Sequence, residues 1–204
     1  MKVHQVEQRT PEWHLLRKGK ITGTGLKKVV GSKTVRDNYF YEILAQRLSI
    51  GVPDDESAMA RGVRMEPEAR AEYEKRTKKK VEEVGFIESD DNKDLGASPD
   101  GYIKKKVLDH AIEIKRLSGA NHLRAYMEKV IPRNYYPQGI QQFIVNEKLK
   151  TLDFVFYDPR IPALPYHVIT MKRKDVAHDI EHYKKEAEVF LKEVSEALET
   201  LTKI

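Results

Sequence analysis

Two carboxylates and a lysine lie close together in the stretch from Ser98 to Lys115, SPDGYIKKKVLDHAIEIK. Asp100 falls between a proline and a glycine, a combination typical of a tight turn. Glu113 and Lys115 are two residues apart in an apolar segment that predicts a short strand, so their side chains point to the same face. If the two segments pair, both carboxylates and the ammonium meet.

Such a cluster suits a hard divalent cation. Mg²⁺ binds oxygen ligands and is usually held by one or two carboxylates, several waters and substrate phosphate oxygens. A lysine beside the metal can orient or help deprotonate a water, or neutralise charge on a scissile phosphate. Asp100, Glu113 and Lys115 therefore predict a metal-dependent nuclease centre. The alternative is a hairpin with a solvated edge, because each of the two motifs alone is more often structural.

A third carboxylate, Glu66, lies in RGVRMEPEARAEYEKR, which predicts a polar helix. Glu66 is one turn from Arg70 and in phase with Tyr73, so it can face the same site and hold a metal-bound water. A surface salt bridge with Arg70, Arg61 or Arg64 is the alternative. The spacing does not choose between the two.

The composition favours a single globular domain over residues 1–204. A chain of 204 residues can bury one sizeable core, and no repeat or low-complexity tract divides it. No apolar run approaches the roughly 20 residues needed to cross a bilayer, the N-terminus lacks the apolar stretch of a secretory signal, and cysteine is absent. We therefore expect a cytoplasmic protein without a membrane partner. The net charge of +5 favours a polyanionic partner such as nucleic acid.

The spacing of apolar residues predicts helices and strands in a mixed order. Helices are expected over 36–51, from 57 to about 78 with a restart at Pro67, over 119–130, over 136–148, and from Asp175, as the cap, along one long amphipathic C-terminal helix. Strands are expected over 80–89, 95–103, 110–115, 151–159 and 165–171. This order predicts an α/β fold with a central mixed sheet flanked by helices.

Two further features receive structural interpretations. Trp13 is followed by Leu15 and Leu16 and is expected to anchor the core. His178 and His182 are one helical turn apart, but no third ligand is near in sequence. We expect these histidines on a solvated helix face, without a metal.

The chain resembles the lambda-type phage exonucleases, in the YqaJ-like viral recombinase branch of the PD-(D/E)XK nucleases. The matching stretches follow the family's order: WHLLRKGKITGT, YFYEILAQ, GVRMEPEARAEYE, ASPDGYI, IEIK, YYPQGIQQFIV and FYDPR. The resemblance implies a restriction-endonuclease-like core. It also implies an enzyme that uses Mg²⁺, which Mn²⁺ can replace, to degrade the 5′-ended strand of linear duplex DNA.

The same resemblance implies partners. Relatives form homotrimeric rings around DNA ends, and their products enter recombination with a single-strand annealing protein. This chain is accordingly expected to be a phage or prophage protein that works in the cytoplasm of a bacterial host.

Roles for single residues follow from the resemblance. Asp100, Glu113 and the backbone carbonyl of Ile114 are expected to bind the metal. Lys115 is expected to activate the water, and Glu66 to complete the acidic site.

The resemblance also implies a site for the DNA end. Arg17 and Thr24, in RKGKITGT, correspond to positions that hold the 5′-terminal phosphate. A guanidinium and a hydroxyl are good phosphate partners. A terminal phosphate bound at a fixed distance from the metal would set the cleavage register.

One position departs from the family. Relatives often carry Gln-x-Gln in the helix after the catalytic lysine, and Gln138 fits the first glutamine. The second position is Ile140, with Gln141 and Gln142 just beyond it. The role of the second glutamine is therefore open.

Two other functions stay open. The same acidic site can cut DNA internally, as structure-selective or restriction-like endonucleases do. The chain can also be a DNA-end-binding adaptor without catalysis, although carboxylates clustered beside phosphate are costly without a cation.

Overall fold

A computed structural model describes residues 1–48, 66–117, 119–159 and 161–202. The helices of these ranges are α1 Pro11–Arg17, α2 Gly23–Val29, α3 Lys33–Leu48, α4 Glu66–Thr77, α5 Gly119–Glu128, α6 Tyr136–Val145 and α7 Ala177–Thr202. The strands are β1 Lys2–His4, β2 Val81–Glu82, β3 Phe86–Glu88, β4 Gly96–Ala97, β5 Gly101–Ile103, β6 His110–Lys115, β7 Thr151–Tyr157 and β8 Tyr166–Lys172.

The central sheet has the strand order β2-β5-β6-β7-β8. Strands β6 and β7 run parallel, with His110 opposite Thr151 and Lys115 opposite Phe156, and the other neighbours are antiparallel. This mixed sheet and the long helix α7 confirm the predicted fold class. Strand β6, which carries Glu113, has a neighbour on each side.

Helices cover both faces of the central sheet. Successive strand residues face opposite sides. Phe154 of β7 belongs to the larger core, together with Phe143 of α6 and Phe190 of α7. Its neighbour Val155 belongs to a second cluster, together with Tyr73 of α4. The sheet therefore lies between α4 on one face and α6 and α7 on the other.

A smaller sheet has the order β1-β3-β4. The strand predicted over 80–89 is divided, because β2 pairs in the central sheet and β3 pairs in the smaller sheet. The strand predicted over 95–103 is divided in the same way, between β4 in the smaller sheet and β5 in the central sheet. Gly85 lies at the first division, where a Cβ would be 1.8 Å from the Val6 carbonyl oxygen, so only glycine permits this approach. The turn at Pro99 and Asp100 makes the second division.

Several helix ends differ from the predictions. Helix α5 ends at Glu128 instead of 130, and α6 ends at Val145 instead of 148. Asp175 does not cap α7, because it belongs to a preceding 3-10 turn, Arg173–Asp175. The predicted helix end at 49–51 and the segment 57–65 lie outside the described residues. The short elements α1, α2 and β1 escaped prediction, since few apolar residues fall in each.

Among the helices that the structure describes, none combines the length and apolar character that a bilayer span requires.

Candidate active site

Asp100 directly precedes β5 and is fixed by contacts to its side chain and its main chain. Its Oδ2 accepts a hydrogen bond from the Ile114 amide at 2.7 Å. Its carbonyl oxygen accepts a hydrogen bond from the Arg70 guanidinium at 3.1 Å. The turn therefore places this carboxylate against β6, beside the strand residue that separates Glu113 from Lys115.

Glu113 lies within β6 and is 1% exposed. The Lys115 ammonium donates a hydrogen bond to Glu113 Oε1 at 2.5 Å. The two side chains share one face of the strand, as the two-residue period predicts. The structure thus brings Asp100, Glu113 and Lys115 into one cluster, in which each charge acts on the others.

Two glutamines of α6 close over Glu113. Gln138 Nε2 donates a hydrogen bond to Oε1, and Gln142 Nε2 donates one to Oε2 at 2.5 Å. The two glutamines are four residues apart and so lie on the same face of the helix. Ile140, the position of the second family glutamine, is instead buried in the core. Gln142 therefore supplies the second amide, a role that a search for Gln-x-Gln misses and that the helical period could have indicated.

Gln141 has a different environment. Its Nε2 donates hydrogen bonds to the carbonyl oxygens of Ile21 and Gly96 at 3.0 and 3.1 Å. Gln141 therefore ties α6 to β4 and does not contact Glu113.

The cluster shifts the ionisation of its own members. Burial, together with the neighbouring charge of Glu113, raises the pKa of Asp100 from 3.8 to about 8. Burial alone would lower the pKa of Lys115, but the charges of Glu113 and Asp100 outweigh burial and raise it. In the metal-free protein Lys115 is therefore a cation at neutral pH. It can orient a water or neutralise a phosphate oxygen, but it has no free lone pair with which to accept a proton.

The oxygen atoms of the cluster suit a divalent cation. An ionised carboxylate has about four acceptor positions. In Glu113, hydrogen bonds occupy two of these acceptor positions at Oε1 and one at Oε2. In Asp100, Oδ2 accepts one hydrogen bond, and Oδ1 accepts none from the residues that the structure describes. Because the N–H and C=O of one strand residue point to the same side, the Ile114 carbonyl faces the Asp100 side of β6. Both carboxylates and this carbonyl thus retain positions for a cation that would relieve the repulsion between them.

A cation at this cluster would not be enclosed by side chains alone. Within the described ranges, no group of three or more His, Asp or Glu side chains is arranged to hold a metal by itself. Mg²⁺ needs no such group, since it keeps several waters and takes one or two carboxylates.

Glu66, the first residue of α4, pairs with a residue that the sequence did not single out. The Arg9 guanidinium donates to both carboxylate oxygens of Glu66, at 2.7 and 2.9 Å. Arg70, one of the partners considered from the spacing, pairs with Glu83 instead. The other two, at positions 61 and 64, lie outside the described residues.

Glu66 also faces the acidic cluster. It lines one cavity together with Asp100 and Arg9, and a second cavity together with Lys115 and Tyr135. The ion pair with Arg9 and the orientation toward the cluster therefore occur together, whereas the sequence presented them as alternatives.

Arg17 and Thr24 line a third cavity, of about 380 Å³. The lysines in its wall are Lys18, Lys20 and Lys28. Arg17 donates hydrogen bonds to the hydroxyls of Ser98 and Thr22, at 2.7 and 3.0 Å. Ser98 is two residues before Asp100, so the hydrogen bond from Arg17 joins the wall of this basic cavity to the turn that carries Asp100.

Trp13 supports the same cavity. It is 5% exposed, which confirms its place in the core, and its ring centroid lies 4.1 Å from the Arg17 guanidinium carbon. Its indole N–H donates to the Gly85 carbonyl oxygen at 3.0 Å. By contrast, His178 and His182 are exposed on α7.

The family of the YqaJ-like viral recombinase domain matches residues 12–148. Among solved structures, an alkaline exonuclease, LHK-Exo from Laribacter hongkongensis, is 32% identical, with a TM-score of 0.85 over 95% of this chain and 97% of that chain. The structure of LHK-Exo in complex with dAMP aligns over the same shares, at 31% identity and a TM-score of 0.84.

A more distant structure shares the fold. The phage-related exonuclease from Haemophilus somnus 129PT is 12% identical, with a TM-score of 0.57 over 88% of this chain and 96% of that chain. The curated proteins contain no significant match.

The matched range contains all the residues to which the resemblance assigns roles. It begins before Arg17 and ends after Gln142, and it spans more than half of the sequence. The chain therefore belongs to the YqaJ-like viral recombinase family.

Proposed function

We propose that this protein is a Mg²⁺-dependent exonuclease that degrades the 5′-ended strand of linear duplex DNA. Family membership and the 32% identity to an alkaline exonuclease support an exonuclease. The observation that carries the proposed dependence on a divalent cation is the convergence of Asp100, Glu113 and Lys115 beneath the amides of Gln138 and Gln142.

Asp100, Glu113 and the Ile114 carbonyl would hold the cation. When bound, Mg²⁺ would stabilise negative charge on the phosphate and lower the pKa of a coordinated water. Mn²⁺ favours the same oxygen ligands and would replace Mg²⁺.

The remaining residues of the cluster would orient the Glu113 carboxylate and the attacking water and neutralise charge on the phosphate. Gln138 and Gln142 fix the Glu113 carboxylate in one position through hydrogen bonds to both oxygens. Lys115, whose ammonium lies 2.5 Å from Glu113, would orient the attacking water and neutralise a non-bridging phosphate oxygen during hydrolysis. The reaction is an attack of water on phosphorus, with departure of the 3′ oxygen.

Arg17 and Thr24 would hold the 5′ phosphate in the basic cavity. The Arg17 guanidinium is already oriented by Ser98, Thr22 and the Trp13 ring, so little side-chain freedom is lost when a phosphate binds. Arg17, in the wall of this cavity, is hydrogen-bonded to Ser98 in the turn that carries Asp100, a link that would suit removal of nucleotides from an end.

We also propose the assembly and partners that the resemblance implies: a homotrimeric ring around duplex DNA, cooperation with a single-strand annealing protein, and action in the cytoplasm of a phage-bearing bacterium. A ring requires a head-to-tail interface that closes on rotation. Light scattering on the purified protein tests it, since a trimer has three times the monomer mass.

Digestion of labelled duplexes with Mg²⁺ tests the proposed activity. A 5′-to-3′ exonuclease releases a 5′ label early and a 3′ label late, degrades 5′-phosphorylated ends fastest, and leaves closed circles intact. Arg17→Ala should slow degradation of phosphorylated ends at least tenfold, whereas Arg124→Ala, on the exposed part of α5, should not. Cutting of closed circles would indicate an endonuclease, and binding without cutting would indicate an adaptor.

A further inference from the structure

Arg9 has a backbone conformation that is unusual for its residue type. Its φ is +72°, in the left-handed region that non-glycine residues seldom occupy. Such conformations persist where the surrounding structure determines them, and they concentrate at functional sites.

The residues on either side of Arg9 are anchored. Gln8 Nε2 donates hydrogen bonds to the carbonyl oxygens of Val84 and Pro99, at 3.3 and 3.0 Å. Thr10 caps α1, since its Oγ1 accepts a hydrogen bond from the Trp13 amide at 3.3 Å. The turn at Arg9 is therefore held at both ends, and one of its anchors is the residue directly before Asp100.

This anchored turn presents the Arg9 guanidinium to Glu66. Arg9 Nη2 donates to both Glu66 oxygens, which uses one acceptor position on each oxygen and leaves about two positions on the carboxylate open. Both residues and Asp100 line one cavity, and Glu66 also lines the cavity of Lys115. One guanidinium nitrogen of Arg9, Nη2, donates both hydrogen bonds, so the anchored turn holds the Glu66 carboxylate by both of its oxygens.

We propose that Arg9 is a positioning residue for the divalent cation, which fixes the Glu66 carboxylate so that its open acceptor positions bind metal-coordinated water. The inference rests on the proposed function, because it requires a cation at Asp100 and Glu113. Outer-shell partners of metal ligands typically contribute 10- to 100-fold to metal affinity or activity, and Glu66 bound to metal-coordinated water would be such a partner. Arg9 should act through Glu66 in this way.

Calorimetric titration with Mg²⁺ alone, without DNA, tests the inference. Arg9→Asn is the main variant, because asparagine tolerates left-handed φ and preserves the turn while it removes the guanidinium. Its Mg²⁺ affinity should fall 10- to 100-fold. Arg9→Lys, which retains the charge but replaces the planar guanidinium with an ammonium on a flexible stem, should also bind more weakly than the wild type.

A control comes from Arg36, which also donates to both oxygens of a carboxylate: its Nη1 and Nη2 bind Glu193, each at 2.9 Å, between α3 and α7. Arg36→Asn should leave Mg²⁺ affinity unchanged. In degradation assays, Arg9→Asn should raise the Mg²⁺ concentration for half-maximal rate by the factor measured calorimetrically. At saturating Mg²⁺ its rate should return to within about threefold of the wild-type rate, well below the 10- to 100-fold affinity effect.

The role of Arg9 would be overturned, and the proposed function would not, if Arg9→Asn bound Mg²⁺ as tightly as the wild type, or more tightly, while Asp100→Asn abolished binding. Tighter binding would mean that Arg9 competes with the cation for Glu66. If the wild type itself neither binds Mg²⁺ nor degrades DNA, the proposed function fails, and the role of Arg9 fails with it.

Discussion

The Asp100 carboxylate accepts a hydrogen bond from the Ile114 amide, 2.7 Å away, although the two residues are 14 positions apart. This bond joins the turn before β5 to the strand that carries Glu113 and Lys115. The hydrogen bond thereby joins the two segments into a single site. The side-chain amides of Gln138 and Gln142, in α6, donate hydrogen bonds to Glu113 of this site.

Lys115 should be required for hydrolysis and not for DNA binding. Lys115→Ala removes the ammonium that lies 2.5 Å from Glu113, so degradation should slow by about 10²- to 10³-fold, the usual effect of losing one preorganised electrostatic donor. Lys104→Ala, at the exposed tip of the hairpin between β5 and β6, should degrade DNA at the wild-type rate. Comparable rates for the two variants would exclude this role for Lys115.

Gln142 and Gln141 are neighbours with different roles, and the same substitution separates them. Gln142→Leu removes a hydrogen bond to Glu113 and should slow degradation about 10- to 100-fold. Gln141→Leu removes two buried hydrogen bonds and should lower the free energy of unfolding by about 1–3 kcal/mol. Degradation rates and urea unfolding of both variants check this contrast, and equal effects on rate would contradict it.

His167 should make the fold sensitive to mild acid. Burial, together with the neighbouring His122, lowers the pKa of His167 from 6.5 to about 4. Between these values the unfolded chain binds about one proton more than the folded protein, so the free energy of unfolding falls as the pH drops from 6.5 toward 4.

Urea unfolding at pH 7, 6 and 5 measures this dependence. The His167 ring stacks on Phe156 with centroids 4.8 Å apart, so His167→Phe preserves an aromatic ring at this place. The variant should lose most of the pH dependence over this interval. An unchanged slope would assign the dependence to other groups.

The sequence predicted the parts of the site that depend on local periods. The two-residue period of a strand was enough to place Glu113 and Lys115 on one face, and apolar periodicity was enough to predict the mixed sheet and α7. Gln142 was missed because the glutamine motif was compared at a spacing of two, whereas the α6 face repeats every three to four residues.

Contacts between distant segments could not be predicted in this way. Arg9 and Glu66 are 57 residues apart, and neither a motif nor a period joins them. The division of the predicted strand at Gly85 depends on the approach of the Val6 carbonyl, a tertiary contact. Both features belong to the segment that precedes α1, for which the apolar pattern predicted no element.

The most direct test of the shared metal site is the release of nucleotides from linear duplex DNA by the wild type and by Asp100→Asn, with Mg²⁺ and with EDTA. The wild type should release nucleotides only with Mg²⁺, and the variant should stay folded and release essentially none. Wild-type activity that persists in EDTA, or an Asp100→Asn variant as active as the wild type, would contradict a cation held between Asp100 and Glu113.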